Sequence, residues 1–289
     1  MRVAILTDTN SGITVSEGKQ QGIYVLPMPV IIDHTSYLEG IDITHEQLYA
    51  AMKERKNISS SQPSPGMVME LWEHIFREGY DEIVYIPMSS GLSGSCHNAM
   101  QFALDYQGKI SVVDNHRISV TLKESVLDAK YLADAGYSAK EIKRILEEQA
   151  YESSIYVTVN SLEYLKKSGR VTPAAAAIAT VMNLKPVLTI QGEKLDSFAK
   201  VRGMKHSETK MIEAILHDRT TRFSTVADHQ LRIGTAGTFE TDEDAKNWCN
   251  FVQEAFPNNQ IYYIPLSCSI ACHVGINAAG IGISKIEKR

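Results

Sequence analysis

Short apolar runs rich in Val, Ile and Tyr recur along this chain, each closed by a polar loop and followed by a stretch with helical spacing. Residues 2–6 predict a strand that ends in the polar loop Thr7-Asp8-Thr9-Asn10-Ser11, before a short helical segment at 15–21. Residues 24–32 predict a second strand, with Pro27 and Pro29 marking an edge or bulge. Thr44 and Gln47 have capping-box spacing and open a helix reaching about residue 55. A hydroxyl-rich stretch with two prolines follows, Ser59-Ser60-Ser61-Gln62-Pro63-Ser64-Pro65, and then a helix over 67–77. The strand 82–86 leads into Ser89-Ser90-Gly91-Leu92-Ser93-Gly94-Ser95, with Ser95 placed to cap a helix over 96–106. A strand at 110–113 ends at Asp114-Asn115, and helices over 119–135 and 138–153 complete the first half.

Strands alternating with helices of about a dozen residues indicate βαβ units on a mostly parallel sheet, with ligands expected at the carboxyl ends of the strands. Asp8, the serine-glycine loop 89–95 and Asp114 all fall at such ends. A new strand, 155–159, after two successive helices divides the chain into an N-terminal α/β domain, 1–154, and a C-terminal α/β domain, 155–289. The second half predicts a short helix at 162–167, an alanine-rich helix over 174–182 behind Thr172-Pro173, and a hairpin over 186–198 turning at Gly192. A helix over 204–217, a strand at 231–235, a helix over 242–256 and a strand at 261–264 follow. Residues 266–275 read as a turn-like segment and 281–284 as a final strand.

Composition narrows the function. With 289 residues, 44% of them hydrophobic, the chain can build a large core and has the length of two domains. Its 29 basic residues against 34 acidic ones give a net charge of −5 without a long basic run, which argues against nucleic acid or an anionic membrane as main partner. Four cysteines at uneven spacing make no disulfide framework, and the start lacks the apolar region of a signal peptide, so a reduced, cytoplasmic protein is expected. No apolar run approaches the roughly 20 residues that span a bilayer.

The chemistry concentrates in hydroxyls. Glycines let the 89–95 loop bring its backbone close to a ligand, and unpaired N–H groups of the following helix favour a phosphate or a carboxylate. The same loop also fits an ordinary turn that only caps its helix, and Asp8 and Asp114 fit simple capping roles. It is neither GxGxxG, nor a P-loop, nor a G-x-S-x-G elbow. Cys268, Cys272 and His273 cluster without a zinc spacing, so no metal is expected. Ser93 and His273 with Asp114 or Asp8 would make a hydrolase triad if the fold joined them, and a sensor of a phosphorylated metabolite is a third reading. Arg170 and Arg202 sit beside glycines on loop-like stretches, as cations held at a surface.

Read together, Ile5-Leu6-Thr7-Asp8-Thr9, Ser60-Ser61-Gln62-Pro63-Ser64-Pro65, Ser89 to Ser95, Val112-Val113-Asp114, Leu165-Lys166-Lys167-Ser168-Gly169-Arg170-Val171, Leu184-Lys185-Pro186-Val187-Leu188 and His273-Val274-Gly275 resemble the DegV family. These are bacterial fatty-acid-binding proteins that include the binding subunits of the fatty acid kinase system. The chain departs from the family pattern at Asn115 and in the loop 275–280. The resemblance implies a two-domain α/β protein, with a mostly parallel N-terminal sheet flanked by helices, that encloses a long-chain fatty acid in an apolar tunnel between or within its domains. Ser60, Ser61 and Ser93 would hold the carboxylate, with His273 close to the head group. Arg170 and Arg202 would face a separate ATP-dependent kinase subunit that makes acyl phosphate, a step toward phospholipid synthesis. On this reading the chain itself has no catalysis and no cofactor.

Overall fold

The computed structural model describes residues 2–178 and 184–287. In chain order its elements are β1 (Val3–Asp8), α1 (Val15–Gln21), β2 (Ile23–Leu26), β3 (Pro29–Ile32), β4 (Thr35–Leu38), α2 (His45–Lys53), β5 (Ile58–Ser60), α3 (Pro65–Arg77), β6 (Glu82–Ile86), α4 (Ser95–Ala103), β7 (Ile110–Val112), α5 (Ser119–Asp134) and α6 (Ala139–Glu148). There follow β8 (Ser153–Thr158), α7 (Glu163–Ser168), α8 (Pro173–Ile178), β9 (Leu184–Ile190), β10 (Asp196–Arg202), α9 (Met204–Thr220), β11 (Leu231–Gly237), α10 (Asp242–Ala255), β12 (Ile261–Pro265), α11 (Cys268–Val274) and β13 (Ala279–Lys285).

The α/β class read from the sequence is what the chain adopts. Its first sheet is parallel, in the order β2-β1-β6-β7, because each strand is joined to its parallel neighbour through other elements. The second sheet has six strands, β10-β9-β8-β13-β11-β12, and is antiparallel except for the β11–β12 pair. A third, antiparallel sheet of three strands, β4-β3-β5, stands apart from both.

Helix α5 joins the two larger sheets. Its Leu122, Val126, Ala129 and Leu132 share a core with Ile5, Val25 and Val84, while its Val120 belongs to a core with Ile155, Val157 and Ala236. Helix α11, late in the chain, tucks Cys268, Ala271 and Cys272 against Val30, Leu48, Met52 and Ile58 around the small sheet. Each such Val, Leu, Ile or Met side chain contributes about 1.5–3 kcal/mol when buried, so these contacts fix how early and late parts of the chain meet.

Several local expectations are corrected. The strand expected at 24–32 is two strands in different sheets: the chain leaves the parallel sheet at Leu26, and β3 starts at Pro29, where prolines remove ladder donors. Strands β4 and β5 lacked a clear alternating pattern; they form because β3 offers both of them a partner. The segment 266–275 is no turn but contains α11, capped by Ser267, whose hydroxyl accepts from Ile270 N at 3.2 Å. Ser95 is the first residue of α4 and not its cap; Gly94 holds that position without a side-chain bond, and Ser93 Oγ accepts from Ser95 N at 3.2 Å. The helix expected to reach residue 153 ends at Glu148, and Ser153 already belongs to β8. Of the helix expected over 174–182, the part after Ile178 lies outside the described residues.

Candidate functional site

Between the carboxyl ends of the parallel strands and one face of the six-stranded sheet lies a cavity of about 920 Å³, its open mouth included. Met28, Met88, Leu92, Ile118, Val120, Ile155, Val157, Leu165, Ile190, Leu195, Ala236, Leu266, Ile270 and Val274 give it a predominantly apolar wall.

The sheet register shows why space remains there. Val157 of β8, Gly280 of β13 and Ala236 of β11 lie in one row across three strands. The two small residues leave the middle of the row open: a Cβ on Gly280 would meet nothing closer than 3.7 Å. Two residues further along, the corresponding row is Ile155, Gly282 and Gly234. Here Val120 of α5 fills the gap, since a Cβ on Gly282 would fall 2.7 Å from its methyl and one on Gly234 would fall 2.9 Å from its Cβ. The start of α5 therefore closes the cavity on this side.

At the mouth stand the hydroxyls. Ser60, at the end of β5, and Ser61 and Ser93 are half-buried and line the cavity beside His273 of α11. Ser60 Oγ and His273 Nε2 share a hydrogen bond at 2.7 Å. Ser93 Oγ donates to Ser95 Oγ at 3.1 Å, and Ser61 Oγ donates to the carbonyl of Gln62 at 3.2 Å. Burial, reinforced by the positive charge of Arg170, lowers the His273 pKa to about 4, so its ring is neutral at pH 7. Its Nδ1 is buried and has no partner.

The loop that carries Ser93 is clamped from behind. Ser89 N donates to the carbonyl of Arg117 at 2.9 Å, and Ser89 Oγ donates to the carbonyl of Gly192 at 2.6 Å. Gly91 allows this close approach, because a Cβ there would lie 2.3 Å from the Gly192 oxygen. Asp114 Oδ1 accepts from Ser90 N at 3.2 Å. Asp8, fully buried, accepts from Asn10 N at 2.9 Å and Met88 N at 3.1 Å. Its burial outweighs those bonds and raises its pKa to about 6. Both aspartates thus hold loops at the strand ends.

Of the residues singled out in the sequence, the fold brings Ser60, Ser61, Ser93, His273 and Arg170 to the same cavity. Arg170 is half-buried in the wall and donates to the carbonyl of Ser168 at 2.6 Å. Arg202 is exposed at the end of β10 and is not among the lining residues. The suspected hydrolase triad is not assembled among the described residues, since His273 bonds Ser60 instead of Ser93 and nothing orients its Nδ1. Cys268, Cys272 and His273 likewise diverge: Cys272 Sγ faces the Ser59 carbonyl at 3.6 Å. Cys268 lies instead with Glu39 and His45, their potential ligand atoms all within 4.8 Å of one another. The Glu39 carboxylate there accepts from Cys268 N at 2.6 Å and Thr9 Oγ1 at 2.7 Å, so it pins the start of α11.

Asn10, Gln62, Ser119 and Ser269 also line the cavity and were not singled out. Asn10 sits in the polar loop after β1, which gave a sequence signal; Ser269 was hidden in the segment read as a turn, and Ser119 looked like any helix start.

A family model described as "Uncharacterised protein, DegV family" matches residues 2–285. The chain belongs to the DegV family. A DegV domain-containing protein of Caldanaerobacter subterraneus is 29% identical over 286 residues, spanning 97% of this chain and 98% of the relative. Among solved DegV structures, a Thermus thermophilus protein described for fatty acid binding superposes with a TM-score of 0.86 at 24% identity, over 99% of this chain and all of that one. A fatty acid binding DegV family protein of Streptococcus agalactiae gives 0.85 at 25% identity, with coverage of 99% and 100%. Among the described residues, no helix of this DegV protein is long and apolar enough to cross a membrane.

Proposed function

We propose that this DegV protein binds one long-chain fatty acid, its carboxylate at the hydroxyls of Ser60, Ser61 and Ser93 beside His273 and its hydrocarbon along the sheet face. The observation that carries this reading is the pairing, within one cavity, of a greasy wall with a half-buried cluster of hydroxyls at its mouth. The fatty-acid-binding relative from Streptococcus agalactiae supports it. A carboxylate leaving water needs several donors, because an unpaired one costs several kcal/mol. The three hydroxyls, which now bond His273, the Gln62 carbonyl and Ser95, can turn to the ligand, and the neutral imidazole of His273 can donate one more hydrogen bond through Nε2–H. The tail supplies affinity: each buried methylene is worth about 0.8 kcal/mol, so a sixteen-carbon chain gains on the order of 10 kcal/mol before ordering costs.

The chain needs no cofactor for this role and performs no catalysis. It presents the acid head, near Arg170 and toward a face that includes Arg202, to a separate ATP-dependent kinase subunit that forms acyl phosphate. Denaturing extraction of recombinant protein followed by mass spectrometry tests the binding step. About one fatty acid per chain is expected, and protein that stays empty after incubation with long-chain fatty acids refutes it.

A further inference from the structure

The cavity has a second polar group, more deeply buried than the serines of the mouth, which plain hydrocarbon would leave unused. Ser119 opens α5, a helix of 16 residues whose start has no side-chain cap. Helix starts leave their first N–H groups without intrahelical acceptors and carry positive potential. Ser119 lines the cavity, is only 7% exposed, and its hydroxyl has no hydrogen-bond partner. The residue also holds a left-handed backbone, with φ of 55°, a conformation that costs energy for a side chain other than glycine or asparagine. Buried hydroxyls normally find partners.

Its surroundings fit the same picture. Helix α5 packs against the turn that carries Asn10, itself 1% exposed and lining the cavity. The Asn10 carbonyl oxygen accepts from the hydroxyls of Ser267 and Ser269, whereas its amide N–H points to the sulfur of Met88 at 3.1 Å, a weak acceptor. Ser119, Asn10 and Ser269 are buried, while the serines of the mouth are half-buried. Among the described residues, no side-chain hydrogen bond joins the two groups. Val120, next to Ser119, fills the space beside Gly282 and Gly234, so the Ser119 hydroxyl lies beside the side of the cavity that α5 closes.

We infer that the inner end of the cavity is a recognition site for an oxygen on the acyl chain, so that the preferred ligand class is an oxygenated fatty acid bearing a hydroxyl or keto group. Ser119 and the first N–H groups of α5 donate to that oxygen, with the Asn10 amide as a further donor. This rests on the fatty-acid-binding reading above and specifies its ligand.

Competition binding tests it, using hexadecanoic acid against a series of hydroxyhexadecanoic acids substituted from mid-chain to the terminal carbon, on wild type, Ser119→Gly and Ser119→Ala. Glycine suits the positive φ and so keeps the fold while removing the hydroxyl; circular dichroism confirms folding of each variant. At least one positional isomer is expected to bind wild type about tenfold more tightly than the unsubstituted acid, the effect of one buried hydrogen bond. That ratio should fall toward one in both variants. A wild type without preference for any isomer, or a preference that survives in Ser119→Gly, overturns the inference while leaving fatty-acid binding intact. An equal loss for plain and hydroxylated acids also overturns it, because Ser119 would then hold the head carboxylate. Failure of every acid to bind refutes the underlying reading and the inference together.

Discussion

The mouth of the cavity and the sheet face behind it are built by opposite means. The end of β5 and the residue after it supply Ser60 and Ser61, and the loop after β6 supplies Ser93, held by Asp8, Asp114 and the turn at Gly192. The sheet face needs no clamps; its space comes from what is missing, Gly280 and Ala236 beside the bulk of Val157. The difference teaches that orientation and capacity are separable here. On the proposed function, donors at the mouth set which end of the acid points out, and small residues in one strand row set whether its chain fits.

The largest effect is expected from filling that row. Gly280→Val adds methyls where no atom now lies within 3.7 Å of the new Cβ, so the fold should survive and co-purifying fatty acid should drop to background by mass spectrometry. Retained lipid would show that the chain takes another path.

Next comes the pH response of the mouth. His273 has a pKa of about 4 when folded against an ordinary 6.5, so the unfolded chain binds more protons between those values. Its contribution to stability is complete above pH 6.5 and is lost as pH falls toward 4, a change of about 3 kcal/mol. Urea unfolding of wild type against His273→Gln should show that extra acid sensitivity in the wild type alone. Parallel pH curves would mean that the ring is hydrated.

A smaller effect is expected for a single donor. Ser93→Ala should weaken fatty-acid binding by about 1–3 kcal/mol with little change in thermal stability, read by calorimetric titration. A loss confined to stability would make Ser93 a loop residue only. Smallest for binding is Arg202→Ala, exposed and off the cavity, which should leave affinity unchanged and lower phosphorylation of bound acid by a partner kinase. Equal loss of both would place Arg202 at the ligand.

The sequence by itself determined the repeating strand, loop and helix of the parallel half, since alternating burial dictates hydrophobic period. It also showed clustered hydroxyls, visible as residue types wherever they fall, and the family resemblance picked out Ser60, Ser61 and Ser93 among them, together with His273. Only the tertiary structure decided that Ser60 meets His273 from 213 positions away, that Val120 seals one glycine row while the next stays open, and that Ser119 faces a cavity. The physical reason is the same in each case. A local window records what a residue is, whereas pairing, blockage and burial depend on which distant segment packs against it, and here α5 and α11 bring those segments together.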